Sequence, residues 1–156
     1  MPEQARVSIY GTTSDDTKQF AIIGAVSRLG VGAVWVYQGL VPKLVLHHPD
    51  ELAMLTDAGV PPATAALTAT IVGWMEIAMG LATIVFSNRW LLVATVLLMI
   101  GAAFGVAFSS PRYLGAAFNP VSLNLLMAAL ALVGIVAGGR APSAGRCKRR
   151  PSEGKA

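Results

Sequence analysis

Two charged residues sit where charge is expensive. The apolar run Phe20–Val41 contains one charged residue, Arg28, and the run Thr64–Phe86 contains one, Glu76. A lone charge at mid-bilayer costs several kcal/mol, so both side chains should face the interior of a helix bundle and find a partner there. Arg28 lies eight residues in from Phe20, about 12 Å along a helix, and Glu76 ten residues in from Phe86, about 15 Å. If those two ends share one membrane face, the pair is level to within one turn, which predicts a direct Arg28–Glu76 ion pair. Such a pair fixes register without adding stability on balance. The functional alternative is a proton or anion site.

A second polar group gathers toward the other face. Tyr37 and Gln38 close the first run, Lys43 follows, and Ser122 and Asn124 open the last. Together they outline a pocket in the outer half of the bundle, between the first and fourth long helices and floored by the Arg28–Glu76 pair. It would open toward His47, His48, Asp50, Glu51, Arg112 and Tyr113 on the loops. Tyr37, Gln38 and Asn124 would orient a ligand head, and Lys43 would favour an anionic or carbonyl-bearing one. Apolar walls with few polar groups suit a quinone-like or lipid-like molecule better than a sugar or an ion. The bland account is that Tyr37 anchors at the interface while Gln38 and Asn124 bond between helices.

Other chemistries find little support. His47 and His48 share one loop, so two axial haem ligands inside the bundle are missing. With Asp50 and Glu51 they form only a generic metal cluster, and no metal site is assigned. One cysteine, Cys147, cannot hold an iron–sulfur cluster or a redox pair. There is no phosphate loop or nucleotide fingerprint. No self-sufficient catalytic constellation emerges, and whether the chain is an enzyme stays open.

The elements that must position these residues follow from composition. The chain has 156 residues, 54% hydrophobic and 13% charged, with a mean hydropathy of +0.62; soluble domains carry about 25% charge. Four apolar runs, 20–41, 64–86, 90–108 and 121–138, have about 18–23 residues each, enough to cross a hydrocarbon core about 30 Å thick. The expected fold is all-α, an integral membrane four-helix bundle covering 20–138. A polar leader, 1–19, would precede it and a basic disordered tail, 139–156, would follow. Asp15 and Asp16 before the first run argue against a signal peptide there. Ser87, Asn88 and Arg89 read as a tight turn. Asn119 and Pro120 read as an N-cap and first helical residue. Between the first two spans, Pro49–Ala58 reads as a short interfacial helix stopped by Gly59. Gly101-x-x-x-Gly105 and Gly134-x-x-x-Gly138 predict close helix packing, and Gly73, Glu76 and Gly80 share one face.

Twelve Lys and Arg against eight Asp and Glu give a net charge of +4. Their distribution points to a membrane, not to nucleic acid. Six of the twelve basic residues lie in the last seventeen positions, and Arg6, Lys18 and Arg89 fall on the same side of a four-span topology. The opposite side has Lys43 and Arg112. This asymmetry sets both termini in the cytoplasm of a multi-pass cell-membrane protein. The run Arg146-Cys-Lys-Arg-Arg150 would then meet anionic headgroups.

Four motifs in order carry a family resemblance. They are Trp35-Val-Tyr-Gln-Gly-Leu-Val-Pro-Lys43, His48-Pro-Asp-Glu-Leu52, Gly73-Trp-Met-Glu76 and Phe118-Asn-Pro-Val-Ser-Leu-Asn124. The chain resembles the DoxX-like family of small bacterial membrane proteins over roughly 28–137. The resemblance implies a four-helix membrane fold and draws attention to Arg28, Tyr37, Gln38, Lys43, Trp74, Glu76, Asn119 and Asn124. The family takes its name from a subunit of a thiosulfate:quinone oxidoreductase, which implies a redox partner role and quinone as the cofactor to consider. Three readings stand. One is a membrane subunit or partner of a quinone-linked oxidoreductase. Another is a proton-coupled small-molecule transporter using Glu76. The third is a scaffold or assembly factor, in which lipid, a partner protein or a second copy is the whole of the binding.

The orientation is directly checkable. A cysteine introduced within 49–58 should react with an impermeant reagent in intact cells; labelling only after lysis would invert the topology.

Overall fold

The computed structural model describes residues 14–140 apart from Phe118. The leader up to residue 13, the basic tail with Cys147, and Phe118 of the fourth motif lie outside the described residues, with the expectations placed on them. The described chain is all helix and turn. Helix α1 spans Ser14–Gln38 and continues as a π-helical segment, Gly39–Val45. A short α2, Pro49–Asp57, follows; α3 spans Pro62–Val85, α4 Arg89–Ser109 and α5 Pro120–Arg140. A 3-10 turn, Pro111–Gly115, joins α4 to α5. Among the described residues four helices are long and apolar enough to cross a membrane, the first running 31 residues from Asp15 to Val45.

The first span outruns its expected end at Val41 because of how the chain handles Pro42. Proline lacks an N–H, and its ring collides with the carbonyl four residues back, so an α-helix cannot run straight through it. Here the helix widens instead of stopping. Leu46 N–H donates to the Val41 carbonyl at 3.0 Å, and His48 N–H to the Pro42 carbonyl at 2.8 Å. This wider register brings residues five apart onto one face, so Lys43 stands below Gln38 on the inner side and is buried. His47 then turns the chain with φ 43°, a left-handed conformation unusual for a non-glycine residue. His48 caps α2 by accepting from the Asp50 N–H through Nδ1, with Pro49 as the first helical residue.

Helix α1 is the central element, with α3 packed along one side and α5 along the other, and α4 lying against α5. Helices α3 and α4 are joined by a short turn yet hardly touch along their length. The α1–α3 seam is set by glycine. A Cβ on Gly32 would meet the Gly80 carbonyl oxygen at 2.8 Å, and one on Gly39 would collide with the Gly73 carbonyl oxygen. Both partners recur at seven residues, so two antiparallel backbones meet twice, two turns apart. The glycine pairs predicted from sequence do less. Gly101, Gly105 and Gly138 have open space beside them, and only Gly134 is enclosed, by Leu92 and Ser27. A four-residue glycine spacing marks one face of a helix but does not say whether another helix reaches it.

A layer of side chains crosses mid-bundle. Val31, Trp35, Leu92, Met99, Met127, Ala128 and Ala131 form one buried cluster. The Trp35 indole N–H donates to Thr95 Oγ1 at 3.0 Å, tying α1 to α4, and the Thr95 hydroxyl in turn donates to the Leu91 carbonyl at 2.9 Å. Elsewhere the large apolar side chains, among them Ile22, Val26, Leu67, Ile71, Leu97 and Leu126, point outward, as lipid-facing residues must.

The seam predicts a contrast. Gly39→Ala should cost about 1–3 kcal/mol, because the new methyl meets backbone that cannot yield. Gly101→Ala should change stability by less than about 0.5 kcal/mol. Denaturant titration in mixed micelles measures both, and equal effects would refute the assigned seam.

Candidate functional site

The charge inside the bundle is met differently from the sequence expectation. Glu76 pairs with Lys43, whose Nζ lies 3.0 Å from Glu76 Oε2. The same ammonium stands 3.3 Å from Glu51 Oε2 on α2. One cation therefore joins three elements, the π segment, α2 and α3, and all three side chains are largely removed from solvent. Glu76 Oε2 is buried and accepts no aligned hydrogen bond among the described residues. At 3.0 Å its contact with Lys43 is close enough for one, so the contact is an off-angle ion pair held by charge. The triad has two carboxylates for one ammonium.

Arg28 and Glu76 do not meet, and the expected pair is corrected. The glycine seam sets α1 against α3 so that Gly39 faces Gly73 and Gly32 faces Gly80. In that register Glu76 is level with Val36, eight residues and about 12 Å from Arg28. The sequence estimate took Phe20 as the start of the first helix, whereas α1 begins at Ser14 and is set differently against α3. The core layer also intervenes. Arg28 borders a separate cavity beyond it, with Ser87, Asn88 and Arg89.

Above the core layer is a cavity of about 430 Å³, within the range of small-molecule sites. Trp35, Met99 and Met127 form its floor and Met54, Leu55 and Leu123 line its apolar walls. Gln38, Lys43, Glu51, Glu76 and Asn124 supply the polar lining. The floor is thus the tryptophan layer and not an ion pair. Of the residues singled out in the sequence, Gln38, Lys43, Glu76 and Asn124 are brought together here. Tyr37 and Trp74 are not; their side chains are 60% and 61% exposed on the outer surface. Asn119 is occupied elsewhere, its Oδ1 accepting from the Val121 N–H at 2.8 Å and its Nδ2 donating to the Leu114 carbonyl at 2.8 Å. It is a helix cap, not a wall of the cavity.

Helix α2 roofs the cavity through Glu51, Met54, Leu55 and Ala58. Its outer side is fastened to the turn after α4. Ser110 Oγ donates to Asp57 Oδ2 at 2.7 Å, and Arg112 lies 2.7 Å from the same oxygen. The Tyr113 hydroxyl donates to Asp50 Oδ1 at 3.1 Å. Asp57 and Ser110 were not foreseen. An acid at the end of a short helix reads as solvated, and nothing in the spacing ties it to a serine 53 residues on. Among the described residues no group of three His, Cys, Asp or Glu is placed to hold a metal ion.

The triad can be dissected by a double-mutant cycle. Lys43→Met alone leaves two buried carboxylates unpaired and should cost about 3–5 kcal/mol. Adding Glu76→Met should recover a good part of that loss. Additive costs in a micelle unfolding titration would refute the Lys43–Glu76 coupling.

Searches of curated proteins and of solved structures returned no match. The profile of the DoxX-like family matches residues 32–132. That stretch contains the glycine seam, the π segment, α2, the Lys43 triad and all residues of the roofed cavity. The chain is therefore a membrane protein of the DoxX-like family.

Proposed function

We propose that the protein is the membrane component of a quinone-linked oxidoreductase, holding a quinone-like molecule in the roofed cavity, with α2 on the outer face and both termini in the cytoplasm. The observation that carries this reading is the composition of the cavity, apolar walls of Trp35, Met54, Leu55, Met99, Leu123 and Met127 around a few polar groups. A ring of quinone size with carbonyls at opposite ends needs an apolar slot and a donor at each end. Lys43 and Gln38 on the first span, with Asn124 on α5, offer such donors. A bound quinone would supply electron carriage within the membrane. The chain's own residues orient the head, exclude water from it by the α2 roof, and hold fixed charge beside it in the triad. The loose α3–α4 contact fits entry from the bilayer, since a membrane-soluble ligand reaches the cavity without crossing solvent.

One observation favours a second reading, proton-coupled transport through Glu76. The triad has a carboxylate in excess of its ammonium, and a proton could fill that excess. In this reading substrate would displace the proton.

Trp35 makes the cavity readable. In a Trp74→Phe, Trp90→Phe background its fluorescence should be quenched saturably by a short-chain quinone. Gln38→Leu with Asn124→Leu should weaken the apparent affinity about tenfold, the loss of one or two hydrogen bonds. Non-saturable quenching, or quenching unchanged in the double variant, would remove the quinone site. Proton release on adding a cationic substrate, with no quinone effect, would favour transport.

A further inference from the structure

Beyond the core layer a second cavity lies at the end of the bundle where α1 begins and α5 ends. It measures about 840 Å³ and is bordered by Phe20, Ala21, Gly24 and Arg28 of α1, the α3–α4 turn and the last turns of α5. Its polar lining is Arg28, Ser87, Asn88 and Arg89, with no acidic side chain among the described residues that line it. Phe20, Trp90, Leu92 and Ile135 give it apolar walls. Arg28 is half-buried and has no ion-pair partner among the described residues. The Arg89 guanidinium lies over the Trp90 ring, 5.1 Å from its centre, and Arg140 lies over Phe20 at 5.3 Å. Both rings line the cavity, so three guanidiniums gather about one opening.

Cations placed about one opening, with no acid among the described residues that line it, favour an anion there. Guanidinium matches phosphate oxygens with paired N–H donors. The depth is that of a headgroup. In the glycine register Arg28 is level with Ile84, one residue from the end of α3. The apolar walls beside the arginines can take the glycerol and first acyl carbons. We propose that this cavity binds the phosphate of an anionic phospholipid, with Arg28 and Arg89 as the anion-holding residues and Arg140 at the mouth. Basic pockets between membrane helices are a known class of lipid site. This one lies outside the ligand cavity proposed above and does not depend on its occupant.

The test uses the full-length protein in a zwitterionic detergent, titrated with phosphatidylglycerol or phosphatidylcholine and read by native mass spectrometry. Phosphatidylglycerol should bind in preference to phosphatidylcholine. Arg28→Gln should weaken its binding about tenfold, as expected for loss of a charge-assisted hydrogen bond. Arg28→Gln with Arg89→Gln should abolish the preference, whereas Lys18→Gln, a basic residue at the same end but off the cavity, should leave it intact. Should Arg28→Gln fail to fold, Arg89→Gln, whose side chain is exposed, carries the test. Equal binding of the two lipids, or an effect of Lys18→Gln as large as that of the arginines, overturns the proposal. So does displacement of phosphatidylglycerol by millimolar inorganic phosphate, which would make this a site for the free ion.

Discussion

A cation placed inside a membrane bundle needs its countercharge close by, because no water or salt screens it there. Lys43 meets this demand by joining Glu51 and Glu76, and much of the architecture exists to let it. The ammonium can reach Glu76 only because the helix widens past Pro42 and turns Lys43 inward. It can reach Glu51 only because the chain reverses at His47 and lays α2 across the bundle end. Without the triad, α2 would be held by its outer fastenings to Ser110, Arg112 and Tyr113 and by its packing against α3 and α4. The Tyr113 bond and the Arg112 pair are exposed on at least one side and contribute little, whereas the Ser110 bond is part-buried. The cavity roof is therefore tied on its inner side by one buried lysine and on its outer side by the buried Ser110.

The glycine seam supplies the second constraint. Bringing the backbones of α1 and α3 into contact at Gly32–Gly80 and Gly39–Gly73 fixes their register to within a residue. That register puts Glu76 beside the π segment and leaves Arg28 near the far end. Between them, the Trp35–Thr95 bond and the cluster around it close the middle of the bundle. A polar bond between α1 and α4 at that level also fixes the distance between helices that have no large mutual seam.

Much of this was legible in the residues. The four spans, the short helix between the first two, and the set Gln38, Lys43, Glu76 and Asn124 follow from hydropathy and from polar residues placed where they are costly. What was not legible was which polar residue meets which. Arg28 and Glu76 matched in depth only if Phe20 and Phe86 marked equal levels, and nothing in the sequence measures that. The first span was expected to end at Val41, and proline usually ends a helix. Its passage through Pro42 as a π turn accompanies the reach of Lys43 to two carboxylates, which is a tertiary fact. Tyr37 is one residue from Gln38 and Trp74 two from Glu76, which turns their side chains by about 100° and about 200° round the helix, enough to take both outside.

The two cavities differ in the sign of their charge, and that difference follows from the membrane. The roofed cavity has an internal countercharge for its lysine and is acidic by one carboxylate. Among the described residues, the charged groups lining the other are both cations. A fold that spends a buried lysine on two of its own acids keeps that charge away from lipid phosphates and available to a neutral or carbonyl-bearing head. A fold that leaves Arg28 without an acid presents it outward to whatever anion the bilayer supplies. Had Arg28 and Glu76 paired as their depths suggested, Lys43 would have kept only Glu51, and the arginine end would have lost one of its cations. The register set by four glycines thus decides which charges are satisfied within the chain and which by its surroundings.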